Sequence, residues 1–214
     1  LANDKDPAKA REAYLRAINT IERAQALGVM KTPKDNYNLV TVYLLAGQFS
    51  RGTQLLHAGL KDGSIESSIL NWRTLGSYYQ QADKPYEAID ALQSGAKLYP
   101  KEGMFELQIG EIYRGLDKTR EARDQYRRAI QKGNLEKGPR VAYQLLAFAA
   151  TELDDFEEAL VAITEAAKDP EFAKDKQMAS FKTYIEDTVK ERREAAKEAA
   201  EKAAAAKAGA QKKS

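Results

Sequence analysis

The chain has 214 residues, 43% hydrophobic and 31% charged, with 6 Pro, 13 Gly and no Cys, a balance that favours a folded helical protein and excludes disulfides, thiolate metal sites and cysteine nucleophiles. Its net charge of +2 is uneven: from Asp187 onward eight Lys or Arg stand against five Asp or Glu, so the remainder is near −1 and lacks the basic patch that nucleic acid requires. No apolar run approaches the roughly 18 residues of a membrane-spanning helix.

Residues 9–18 (KAREAYLRAI) align with 121–130 (EARDQYRRAI), a second helix further along, so 1–32 reads as the second helix of a truncated repeat and the chain as the C-terminal part of a longer protein. A unit starting at Pro33 carries Leu39, Val40, Tyr43, Gly52, Leu56 and Gly59. The next, from Ile69, carries Trp72, Leu75, Gly76, Tyr79, Ala88, Leu92, Gly95 and Pro100. From Gly103 come Ile109, Gly110, Tyr113, Ala122, Tyr126 and Ala129, and from Arg140 come Tyr143, Leu146, Ala147, Ala150, Ala159, Ile163 and Ala166. The units are 33–68, 69–102, 103–139 and 140–173, and their length differences fall at Asp62-Gly63, Lys132-Gly133-Asn134 and Gly138-Pro139, where turns belong. Met178, Phe181, Tyr184, Ile185 and Val189 follow helical spacing, which predicts a capping helix over 174–190. Beyond it, 191–214 is rich in Ala, Lys and Glu without an apolar stripe, and an exposed helix fraying into disorder is expected.

The W-x2-L-G-x2-Y spacing from Trp72 to Tyr79, followed by Ala88 and Pro100, is that of the tetratricopeptide repeat. The expected fold is all-α: a solenoid of antiparallel helix pairs wound into a right-handed superhelix, with a capping helix and a helical or disordered tail. Small residues at Gly76, Gly110, Ala147, Ala88, Ala122 and Ala159 let helix axes approach to about 8–10 Å, and large ones such as Leu92 and Tyr126 fill the space between hairpins.

Three stretches resemble a narrower family, the tetratricopeptide proteins associated with the TonB, ExbB and ExbD energy-transduction components of Gram-negative bacteria. They are 31–37 (KTPKDNY), 62–65 (DGSI) with Asn71-Trp72, and 132–135 (KGNL) with 143–146 (YQLL); Tyr184-Ile185 is similar to that family's ending. The resemblance implies a periplasmic adaptor in outer-membrane nutrient uptake, with TonB-system components as partners; the cytoplasm is the alternative location. It brings no catalytic motif and no cofactor.

Chemistry-bearing residues are few. His57 is the only histidine, too little for a base-plus-orienter pair or a metal site, and reads as structural. Asp154-Asp155 and Glu157-Glu158 fall at a turn and the first residues of a helix, where negative charge meets the positive end of the dipole. No phosphate-binding glycine motif occurs, and no enzyme, metal or cofactor is expected. The tail's basic residues alternate with Glu191, Glu194, Glu198 and Glu201 and read as a solvated spacer rather than an arm for lipid or nucleic acid.

By resemblance to tetratricopeptide proteins, the first helices line an inner groove. That register selects Tyr37, Thr41 and Leu44 in the first unit, Arg73, Ser77 and Gln80 in the second, Leu107, Glu111 and Arg114 in the third, and Gln144, Phe148 and Thr151 in the fourth. Packing does not account for Arg73, Arg114 and Phe148, and such residues in a groove contribute about 2 kcal/mol or more when desolvated. Their truncation is therefore expected to weaken binding with little loss of stability. Tyr37 and Thr41 stand where the chaperone-binding members carry Lys and Asn, so a C-terminal carboxylate is not the expected ligand; an extended or helical protein segment is. The expected function is a protein-interaction adaptor, and the alternative is a structural protein that self-associates or splints an assembly.

Overall fold

The computed structural model describes residues 6–136 and 138–211; the first residues of the 1–32 segment, Lys137, and the end of the tail at 212–214 lie outside them. Among the described residues the regular structure is entirely helical: α1 (Pro7–Ala26), α2 (Pro33–Leu45), α3 (Phe49–Asp62), α4 (Ile69–Gln81), α5 (Pro85–Leu98), α6 (Met104–Gly115), α7 (Thr119–Lys132), α8 (Arg140–Glu152), α9 (Phe156–Ala166), a 3-10 turn (Phe172–Lys174) and α10 (Lys176–Gln211). The chain divides into two compact units, 1–112 and 113–214. No described helix is long and apolar enough to cross a membrane.

Helix starts follow local chemistry. Asp6 caps α1 through the Ala8 N–H (3.0 Å), with Pro7 in the first turn, where its missing N–H costs nothing. Thr32 and Asp35 form a reciprocal capping box on α2 (3.2 and 3.0 Å), Ser68 caps α4 and Asp155 caps α9.

The turns inside the hairpins share one geometry. Gly47, Asp83, Asp117 and Asp154 all sit in the left-handed region, at φ of 76°, 57°, 57° and 63°. In each turn the N–H of the next residue returns to a carbonyl four residues before the left-handed one, as Gln48 does to Tyr43 and Asp155 to Ala150 (both 2.9 Å). Glycine reaches this conformation freely, and aspartate tolerates it through local hydrogen bonding.

In the first unit, close approach depends on missing side chains. A Cβ on Gly76 of α4 would lie 2.7 Å from Leu92 of α5, and one on Gly52 of α3 would lie 2.9 Å from Leu44 of α2. Gly95 of α5 lies between hairpins, where a Cβ would meet the Phe105 ring at 2.5 Å and Trp72 at 2.8 Å. Leu56, Leu75, Leu92 and Phe105 are fully buried there, and α1 adds Ile18 against Leu39 and Tyr43.

In the second unit, Ala147 of α8 and Ala159 of α9 are fully buried, and α10 covers the pair with Ile185 (0% exposed) and Val189 (3%). The helix does not stop at 190: α10 runs unbroken to Gln211, with every residue from Lys190 to Ala205 exposed. The segment read as a spacer also does more at its start. Arg192 binds Asp154 through both carboxylate oxygens (2.5 and 3.0 Å), and Arg193 binds Glu157 likewise (2.5 and 2.8 Å). Neither arginine has a glutamate three or four residues away on α10, so each reaches across the packed face, Arg192 to the turn before α9 and Arg193 to its first turn, where a bidentate guanidinium–carboxylate pair satisfies both groups at once.

Candidate partner-binding surface

In the first unit, the register places Tyr37 on α2 and Arg73 on α4, both half-buried, with Thr41, Gln80 and Glu111 exposed. Thr41 turns its hydroxyl back to the Tyr37 carbonyl (3.0 Å). Leu44 and Leu107 are buried, at 9% and 8% exposure, so they serve packing; Leu44 sinks into the space that Gly52 leaves. Ser77 is engaged as well: Gln108 of α6 donates to its Oγ (2.9 Å) and to the Arg73 carbonyl (3.2 Å), tying the first helices of two hairpins together.

What the register does not reveal is a cleft of about 340 Å³ between the start of α2, the 63–68 connection and the start of α4, lined by Pro33, Lys34, Tyr37, Ile65, Glu66 and Asn71. Asn71 fixes one wall by donating to the Glu66 carbonyl (2.8 Å). Burial, and next the neighbouring Tyr78, push the Tyr37 phenol above its usual 10, so it stays a neutral donor at physiological pH. An apolar floor of Pro33, Tyr37 and Ile65 under a rim of opposite charges, Lys34 and Glu66, suits a protein side chain flanked by polar backbone. Among these the groove register picks out Tyr37; the others sit on the 63–68 connection and in the first turns of α2 and α4.

In the second unit, Arg114 is exposed. Gln144 is 8% exposed, accepts from Arg140 (3.2 Å) and belongs to the interior. Thr151 is half-buried and donates to the Ala147 carbonyl (2.9 Å). Phe148 does not face an open groove. Phe181 of α10 stacks on it, with ring centroids 4.4 Å apart and planes at 17°. Truncating Phe148 removes a stacking contact within the fold, so it is not the clean binding probe that the sequence suggested.

His57 has a structural setting. Its Nδ1 lies 2.8 Å from the Tyr79 hydroxyl, and its ring meets Trp72 and Tyr79 edge-on, with centroids at 6.2 and 5.7 Å, joining α3 to α4. Burial first, then Lys61, hold its pKa below the usual 6.5, against an opposing pull from Asp90. A depressed histidine binds fewer protons folded than unfolded, so stability is retained above pH 6.5 and falls as pH drops from there towards the folded pKa. Carboxylates depressed by their partners, such as Asp35 and Asp62, weaken the fold only around and below their usual 3.8. Unfolding titrations between pH 7.5 and 5 are therefore expected to show a loss of stability that His57→Gln largely removes; parallel curves for both proteins would contradict this.

The acidic residues around the start of α9 are occupied by arginines. Arg127 of α7 binds Glu158 (2.5 and 2.7 Å), while Arg192 and Arg193 take Asp154 and Glu157. Among the described residues no cluster of three or more His, Asp or Glu is arranged to hold a metal ion.

No family model and no curated protein matches the chain. Solved structures do. A crystal structure of MamA superposes with a TM-score of 0.56 at 20% identity, covering 78% of this chain and 95% of that one. A structure of MamA AMB-1 gives 0.51 at 23% identity, over 76% and 92% of the two chains. MamA from Desulfovibrio magneticus RS-1 gives 0.50 at 15%, over 74% and 94%. The fold is a tetratricopeptide-type α-solenoid. Likeness at these identities concerns architecture, and it agrees with the paired helices, the small residues at their crossings and the repeated left-handed turn.

Proposed function

We propose that this chain is a protein-interaction scaffold that seats a segment of a partner in the cleft at the starts of α2 and α4. The carrying observation is the half-buried Tyr37 ring on an open, apolar floor rimmed by Lys34 and Glu66. Aromatic anchors in such partly dry pockets supply most of the affinity at protein interfaces, about 2 kcal/mol or more each. Within the same unit, Arg73 and Gln80 on α4 are the polar residues proposed to steer the partner. The turn sequences shared with TonB-associated tetratricopeptide proteins support placing the scaffold in the periplasm beside an energy-transduction complex, as a binding protein and not an enzyme.

A photo-crosslinking amino acid at position 37 or 73, with position 93 on the exposed side of α5 as control, tests this in cells. Adducts specific to 37 and 73 are expected, and energy-transduction components among them would support the TonB placement. Equal adducts from 93, or none from 37, would reject the cleft.

A further inference from the structure

The face of α8 and α9 that α10 covers is specified in unusual chemical detail. Phe181 stacks on Phe148, Ile185 and Val189 are buried, Arg192 lies 4.4 Å from the centroid of the Phe156 ring while binding Asp154, and Arg193 binds Glu157. All five α10 side chains lie within thirteen residues, spaced so that one helical face presents them. Past Arg193 the helix continues exposed through an Ala-, Lys- and Glu-rich stretch whose own propensity is high. The helix is joined to α9 by residues 167–175, a nine-residue connection containing one 3-10 turn. It is thus a preformed element attached by one face and one connection.

We propose that the α8–α9 face exchanges its occupant between copies of this chain, so that residues 181–193 of a second copy seat on it in place of the chain's own, giving a reciprocally swapped dimer. Each contact that α10 makes with the face within one chain is reproduced across two, so the closed and swapped states differ in the path of 167–175, where Phe172 is buried and Asp169 pairs with Arg140 at 3.6 Å, and in the association entropy, which protein concentration offsets. Charge selects this occupant. Asp154 and Glu157 line one edge of the face, and a helix lacking two adjacent arginines leaves both carboxylates without their partners, whereas a second copy brings the pair in register. The proposal is independent of the Tyr37 cleft, which lies in the other unit.

Complementary charge reversal tests it with full-length chains. One variant carries Arg192→Glu and Arg193→Glu, the other Asp154→Arg and Glu157→Arg. Each sets like charges against each other within its own chain, while a mixed pair restores attraction at both crossings. Light scattering of an equimolar mixture is expected to reveal a species of twice the monomer mass at concentrations where neither variant alone forms one. A mixture that stays monomeric overturns the proposal and leaves the face to a helix of another protein. A chain with all four substitutions regains internal complementarity, and its cooperative melting shows that the reversed charges leave the fold intact. Should that chain not fold, wild-type protein sized over a concentration series decides: a dimer that Phe181→Asp abolishes supports exchange, and either a monomer throughout or a dimer indifferent to Phe181→Asp rejects it.

Discussion

Phe105→Ala is expected to destabilise the first unit by about 4 kcal/mol, the range found when a fully buried phenyl ring is removed. The ring is 0% exposed, stacks on Tyr99 at 6.3 Å and fills the space opened by Gly95, where a Cβ would stand only 2.5 Å away. Tyr99 in turn donates to the Ser67 carbonyl (2.7 Å), so the ring also supports the link back to the connection before α4. Gly95→Ala alone should be destabilising despite alanine's better helix propensity, because the methyl meets both Phe105 and Trp72. In the Phe105→Ala background the same methyl enters a vacated space, so the two substitutions together should cost less than their sum by about 1 kcal/mol or more. Urea unfolding followed by the fluorescence of Trp72, the only tryptophan, reads this unit directly. Additive losses would show that the ring and the glycine do not share one packing site.

Ile185→Ala should be the most damaging single change in α10, costing about 3 kcal/mol of the free energy that docks it. Ile185 is 0% exposed and Val189 3%, whereas Tyr184 is 53% exposed and contributes through its edge to Phe156 (5.9 Å). The arginine–carboxylate pairs are open to water and set the register of docking more than its strength. Amide hydrogen exchange is the measurement: protection across 181–193 should collapse in Ile185→Ala and survive in Tyr184→Ala. Unchanged protection in the first variant would mean that the aromatic stack alone holds the helix.

The paired-helix fold is legible in the chain because its determinants are local and periodic. Gly76 opposite Leu92 is forced by the distance between helix axes, and the fully buried Ala147 and Ala159 keep small side chains at the matching places of a later repeat. The surface is less legible, for reasons visible at single residues. Register assigns Leu44 to an inner face, yet the glycine across from it at position 52 lets it sink inward. Phe148 has the right register and is covered by Phe181, because the order of residues gives a terminal helix its apolar stripe but not the face it lies on. Arg192 and Arg193 stand next to Glu191 and Glu194 in sequence, at spacings that do not face each other on a helix, while their actual partners are 38 and 36 residues away. The cleft at Tyr37 is built by Ile65 and Glu66, from a connection whose path depends on both hairpins.

The recurring bend within each hairpin has a consequence for how such a chain can change length. Fourteen residues separate the first residue of α2, α4 and α8 from Gly47, Asp83 and Asp154 respectively, while the left-handed residues themselves are spaced 36, 34 and 37 apart along the chain. Growth and shrinkage have therefore been absorbed between hairpins, at joints such as 133–136, where no side chain is buried for an added residue to turn out of place. An engineer wishing to graft a peptide or a reporter would find these joints permissive and the bends intolerant, since one extra residue there shifts the following helix by about 100° and turns its packed face to water.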